Sequence, residues 1–100
     1  MLEIIAPDSC RLHGRLDMQN SAVLLRELMA LGDKTTAKVL KLDVSQLESA
    51  DSLLLAAILD MSRRLASMGG ELRVTGLSAA MTGLARVYGI ESLIELCVES

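Results

Sequence analysis

Residues 38–59 read KVLKLDVSQLESADSLLLAAIL, and two periodicities meet inside this stretch. Leu40, Leu42 and Val44 fall on one face at period two, while Val39 adds apolar character to the other, so residues 38–44 are expected as a central strand. Residues 45–50 are expected as a loop. From Leu54 the apolar positions Leu54, Ile58, Met61, Leu65 and Met68 step by four and three, which is the spacing of one helix face. Asp51 or Ser52 suits the N-cap, since each carries a side-chain oxygen for the unpaired N–H groups of a first turn. Gly69-Gly70 suits the end. A strand that runs into a helix and then another strand implies a crossover and parallel pairing.

The neighbouring segments fit the same plan. Residues 2–6 are apolar and stop at Pro7-Asp8, a turn signal. Cys10, Leu12, Gly14 and Leu16 then alternate with Arg11, His13, Arg15 and Asp17, which predicts a strand with one wet face, close enough to pair as a hairpin with the first. Leu24, Leu28 and Leu31 predict a helix that Asn20 or Ser21 can cap and that Gly32 is placed to end; residues 33–36 read as a polar loop. Residues 71–75 alternate again, with Leu72 and Val74 inward, and Gly76 closes that strand. Ser78 can cap a helix through Met81, Leu84, Ala85 and Tyr88, closed by Gly89. As a lone aromatic on that apolar stripe, Tyr88 is expected in the core. Residues 90–98 suit either an edge strand or a final helical turn. The predicted order is β-β-α-β-α-β-α, an α/β fold with a small mixed sheet and helices packed on it, forming one domain over residues 1–100.

Composition narrows the function. The chain has 100 residues, 51% of them apolar, with no Phe, no Trp and a single Tyr, so its core is aliphatic. A net charge of −3 and the lack of stacking aromatics argue against nucleic acid as a partner. The longest apolar run, residues 53–59, is far short of the roughly 20 residues that cross a bilayer. Glu3, Pro7 and Asp8 interrupt any leader-like stretch. A cytoplasmic protein is expected.

Catalytic chemistry finds little to work with. The single His, His13, lies on a polar strand face between Arg11 and Arg15, with no nucleophile or orienting acid at a telling spacing. Cys10 and Cys97 are far apart in sequence and, with one His, do not make a zinc site; they are expected as buried thiols. No phosphate-binding glycine motif occurs, and no cofactor is expected. The informative residue is Ser52. A helix start tolerates negative charge, because its first N–H groups are unpaired and its dipole is positive there. Ser52 could therefore accept a phosphate, with Asp51 beside it and Asp17 as an acidic neighbour. Leu53, Leu54 and Leu55 follow directly, and a helix cannot turn three consecutive side chains to one face. At least one leucine should stay exposed beside Ser52.

These residues, taken in order, resemble the STAS domain family of sulfate-transporter and anti-sigma-factor-antagonist domains. The segment Leu12-His13-Gly14-Arg15-Leu16-Asp17 is similar to the family's strand end, residues 40–52 to its central strand, loop and Asp-Ser helix start, and Gly70-Glu71-Leu72-Arg73-Val74-Thr75-Gly76 to the strand that follows. In the antagonist branch the resemblance makes Ser52 the phosphoacceptor for a partner kinase. That branch continues Asp-Ser-Ser/Thr-Gly-Leu, whereas this chain continues Asp51-Ser52-Leu53-Leu54-Leu55, which favours constitutive docking. The segment Leu84-Ala85-Arg86-Val87-Tyr88-Gly89-Ile90 resembles the ending of a second branch, the STAS subunit of bacterial phospholipid-trafficking ABC transporters that maintain outer-membrane lipid asymmetry. This resemblance implies a non-enzymatic accessory subunit, bound to the cytoplasmic ATPase and touching the membrane only through that complex. The expected contact residues are Ser52, Leu53, Leu54, Asp51 and Ser49. The alternative is an anti-sigma-factor antagonist switched by phosphorylation of Ser52 and bound to an anti-sigma factor or kinase.

Overall fold

The computed structural model describes residues 2–16, 19–34, 38–49 and 52–98. The elements are β1 (Leu2–Ala6), β2 (Ser9–Arg15), α1 (Ser21–Lys34), β3 (Val39–Ser49), α2 (Ser52–Ser67), β4 (Glu71–Thr75), α3 (Ala79–Val87) and α4 (Glu91–Glu95). The strands form one sheet in the order β1-β2-β3-β4. The β1–β2 hairpin is antiparallel, and the β2–β3 and β3–β4 pairs, each joined through a helix, are parallel. This is the expected mixed α/β sheet. The undecided C-terminal stretch uses both options: α4 forms a short helix, and Val98 then makes a single parallel bridge to Val74.

Strand alternation decides which face is covered. Cys10 and Leu12 of β2, Leu40, Leu42 and Val44 of β3, and Leu72 and Val74 of β4 are buried, and they share one core with Leu24 and Leu28 of α1 and the inner face of α2. The side chains of opposite parity form a wet face, where Arg11 of β2 reaches Asp43 of β3 at 3.2 Å and Glu3 of β1 at 3.6 Å. Burying one face and solvating the other is the usual solution for a strand that alternates apolar and polar side chains.

Three expectations are corrected. Residues 45–49 are strand, not loop, because β3 is bulged. Arg11 pairs with Asp43, yet His13 pairs with Gln46, and a second slip separates Gly14↔Leu47 from Arg15↔Ser49. Each extra residue reverses the inward parity, so Leu47 turns back to the core and the period-two signal breaks although the ladder continues. Gly32 does not end α1, which runs on to Lys34. Gly32 is buried, and a Cβ there would meet the Met61 side chain at 3.4 Å, so it is a close-packing point of α1 on α2. Met68 is exposed rather than core, because α2 stops at Ser67. Gly70 N–H donates to the Leu65 carbonyl and Gly69 N–H to that of Ala66, the paired bonds of a Schellman turn, so the expected glycine terminator is present.

Candidate functional site: the face around the start of α2

Ser52 is the first residue of α2 and is partly buried. Leu53 is 39% exposed, whereas Leu54 and Leu55 are each 1% exposed. The expectation that Leu54 lines a partner contact is therefore corrected. At 100° per residue, turning Leu53 outward carries Leu54 and Leu55 round to the sheet and the neighbouring helices. Of the acidic and polar residues expected around Ser52, Asp51 and Asp17 lie outside the described residues, as does the side chain of Ser49, whose backbone ends β3 opposite Arg15.

Tyr88 is 57% exposed, which corrects its expected place in the core. The cause is how α3 ends. Ser78 caps its start, accepting from Met81 N–H at 3.2 Å, and Met81 and Ala85 face the core. Tyr88 is the C-cap residue, and Gly89 follows with φ at +73°, a conformation that only glycine adopts readily. Ile90 N–H then reaches back to the Ala85 carbonyl at 2.9 Å. This turn sends the chain into α4, whose Ile94 is buried in the core, and leaves Tyr88 outside.

The consequence is a shallow apolar depression of about 350 Å³ on the helical side of the molecule, lined by Ser52, Leu53, Ala56 and Leu59 of α2 together with Tyr88 and Ile90. Ser52-Leu53 at the helix start and Tyr88 of the Leu-Ala-x-x-Tyr ending, which stood out in the sequence, thus meet on one surface. Sequence reading missed Ala56, Leu59 and Ile90 as members of this site. The three-residue steps from Leu53 to Ala56 to Leu59 were a signal for an outward apolar stripe, but the stronger inward stripe of the same helix obscured it.

A second hollow, of about 280 Å³, opens at the C-terminal ends of β3 and β4, between the bulge at Ser45 and the start of α3 at Ser78. Asp43 organises the bulge: its Oδ1 accepts from Ser45 N–H at 2.8 Å and from Ser45 Oγ at 2.6 Å. These bonds, with the Arg11 guanidinium on the other carboxylate oxygen, hold the Asp43 carboxyl below its ordinary pKa. His13 lies exposed on the wet face of the sheet, opposite Gln46. The two cysteines are buried free thiols, and burial pushes the Cys10 thiol up to about 11. Among the described residues no group of three His, Cys, Asp or Glu side chains could hold a metal ion, and no helix is long and apolar enough to cross a membrane.

Residues 6–95 match the family model described as "Mlab, STAS domain". No curated protein matches the chain. Among solved structures, the unphosphorylated anti-sigma factor antagonist SpoIIAA is similar with a TM-score of 0.73 at 16% identity, over 99% of this chain and 84% of that one. The phosphorylated form of SpoIIAA, a Bacillus cell fate determinant, is similar with a TM-score of 0.70 at 17% identity, over 99% and 87%. The STAS domain of a SulP transporter from Vibrio cholerae is similar with a TM-score of 0.58 at 17% identity, over 88% and 68%. At these identities the structures speak for the fold.

Proposed function

The chain belongs to the STAS domain family, and on that premise we propose that it is a non-enzymatic accessory subunit that docks on the ATPase of a phospholipid-transporting ABC complex and supports its assembly and activity. It would act in the cytoplasm and meet the membrane only through that complex. The observation that carries this reading is the convergence of Ser52, Leu53 and Tyr88 on one exposed apolar depression. An apolar patch that a small domain leaves open suits a protein partner, because covering it removes the patch from water. The resemblance of the Leu84-Ala85-x-x-Tyr88 ending to the transporter branch chooses among partners.

Tyr88 supplies the test. As the single Tyr in a chain without Trp, it reports on this face alone. Addition of the ATPase subunit of a phospholipid-transporting ABC complex from the same cells should shield Tyr88 from acrylamide quenching, and Ser52→Glu or Leu53→Asp should abolish the shielding, since a buried charge without a partner is costly. Unchanged quenching at saturating ATPase, or full binding by both variants, would sink the reading.

A second reading has its own support. Ser52 opens a 16-residue helix and is only partly buried, so a phosphate there would lie at the favourable end of the helix dipole. An anti-sigma-factor antagonist would use that phosphate to expel its partner. Intact-mass measurement on protein from stressed and growing native cells decides between the two: a phosphate on Ser52 favours the switch, and its absence in both conditions rejects it.

A further inference from the structure

The sheet has an open edge at β1. This strand pairs with β2 on one side, and among the described residues no strand lies along its other side. Native edges are commonly blunted by charge, proline or a covering helix, because an open ladder of N–H and C=O groups recruits another strand. β1 carries Leu2, Ile4 and Ile5 instead; its one charge, Glu3, is engaged by Arg11 on the wet face, and Pro7 and the bulge after Ile4 blunt only its end. Ile4 lies opposite Cys10, which is fully buried, so it stands on the helix-covered face of the sheet, yet it is 63% exposed. The helical layer stops short of the last strand.

α1 overlooks that edge. It packs on β1 and on α2, whereas α2 packs on β4, so the helices follow the order of the strands. Gly32 lies against Met61 of α2, and Val23, nine residues earlier, is half a turn away at 100° per residue, on the side beyond β1. Val23, Glu27, Ala30 and Lys34 continue along this side at four-three spacing, and all four are exposed. Glu27 and Lys34 enter no ion pair among the described residues.

We propose that β1 and α1 pair with the same elements of a second copy of this chain, so that one sheet runs through both copies. Each element is complementary to itself. About a two-fold axis near Ala30, Glu27 of either helix faces Lys34 of the other across a small side chain. About a two-fold axis at Ile4, antiparallel β1 strands set Ile4 against Ile4, whereas the register centred on Glu3 would oppose two carboxylates. One axis perpendicular to the sheet serves both, because α1, the crossover from β2 to β3, runs in the same direction as β1. With one helix over each pair of strands, the joined sheet sets the two α1 helices about 10 Å apart, the distance of an ordinary helix contact. A strand of another protein would satisfy the ladder but would leave the Glu27 and Lys34 charges unanswered. The inference does not rest on the docking reading: the depression at Ser52 lies between α2 and the turn after α3, on the side of α2 away from this edge.

Sedimentation equilibrium of the purified chain tests it. The chain should dimerise, and Ile4→Lys and Val23→Glu, both at exposed positions, should each raise the dissociation constant about tenfold or more. Glu27→Lys or Lys34→Glu alone should also weaken the dimer, and the two together should restore it, a result that damage to the fold cannot produce. Leu53→Asp should leave the dimer unchanged. A chain that stays monomeric at about millimolar concentration overturns the proposal. So does a dimer indifferent to Ile4→Lys and Val23→Glu, a reversed charge pair that fails to restore it, or a dimer lost with Leu53→Asp, which would place the contact at Ser52. If the β1 amides exchange freely in the isolated chain and gain protection only when an ATPase subunit is added, the edge takes a strand of that protein and the dimer is wrong.

Discussion

Gly76 lies against Ser45 so closely that a Cβ on Gly76 would fall 2.4 Å from the Ser45 Cβ and 2.7 Å from its Cα. The turn leaving β4 is thereby clamped onto the bulge of β3, and the clamp sets where α3 begins. Backbone geometry adds a second constraint, since Gly76 has φ at +79°. Gly76→Ala should therefore cost about 2–5 kcal/mol, combining left-handed strain with a clash against backbone that no rotamer change relieves. Urea unfolding of the two proteins measures it. A change within experimental error would show that the β4–α3 turn does not press on the bulge.

Leu53 and Leu54 are adjacent in sequence and opposite in role. Leu54→Ala should destabilise the fold by about 2–5 kcal/mol, because it opens a cavity in the core. Leu53→Ala should cost well under about 1 kcal/mol in stability, as expected for a half-exposed side chain, while lowering affinity for the partner. Paired thermal melts and binding titrations check both. Equal stability losses at the two positions would contradict the orientation of the first turn of α2.

Acid should loosen the bulge. The Asp43 carboxyl is held below its ordinary value of 3.8 by the Ser45 hydroxyl and N–H and by Arg11. The unfolded chain therefore takes up this proton first as pH falls. The stabilisation is complete above 3.8 and is lost as pH drops through the lower folded value. Asp43→Asn should lower the stability-against-pH curve above about pH 4 and flatten its acid limb below that value. An acid limb identical in the variant would show that Asp43 is not linked to folding.

Alkali acts on Cys10 with the opposite sign. Its thiol is raised by burial from 9.0 to about 11, so the unfolded chain releases this proton first as pH rises. Stability from the neutral thiol is complete below 9.0 and falls as pH climbs toward about 11. Cys10→Ser makes a poor control, because it places a hydroxyl in an apolar site. Alkylation is the better probe: at mildly alkaline pH the native protein should react with iodoacetamide at Cys10 far more slowly than the urea-unfolded protein does. Comparable rates would mean that Cys10 is accessible.

Much of this molecule was legible before folding. Period-two runs marked β2, β3 and β4, the four-three spacing marked α2, and Ser78 and Gly89 marked the limits of α3, because those signals are local: they come from side-chain direction, N–H capping and glycine's freedom at positive φ. The hairpin and the parallel pairing followed from connection lengths.

Other features required the packed chain. The double slip of β3 against β2 hid the second half of that strand, since a bulge is defined by its partner and leaves no period in its own sequence. Gly32 looked like a terminator until the proximity of Met61 gave it a packing role. Leu54 kept the inward place that the four-three spacing gave it, which takes it off the partner surface, and Tyr88 turned out when Ile90 and Ile94 carried the chain inward past it. Local sequence thus determined which elements form and which helix start carries Ser52. The depression that joins Ser52 to Tyr88, residues far apart in sequence, was decided by tertiary packing, because a surface exists only once distant segments have competed for the same core.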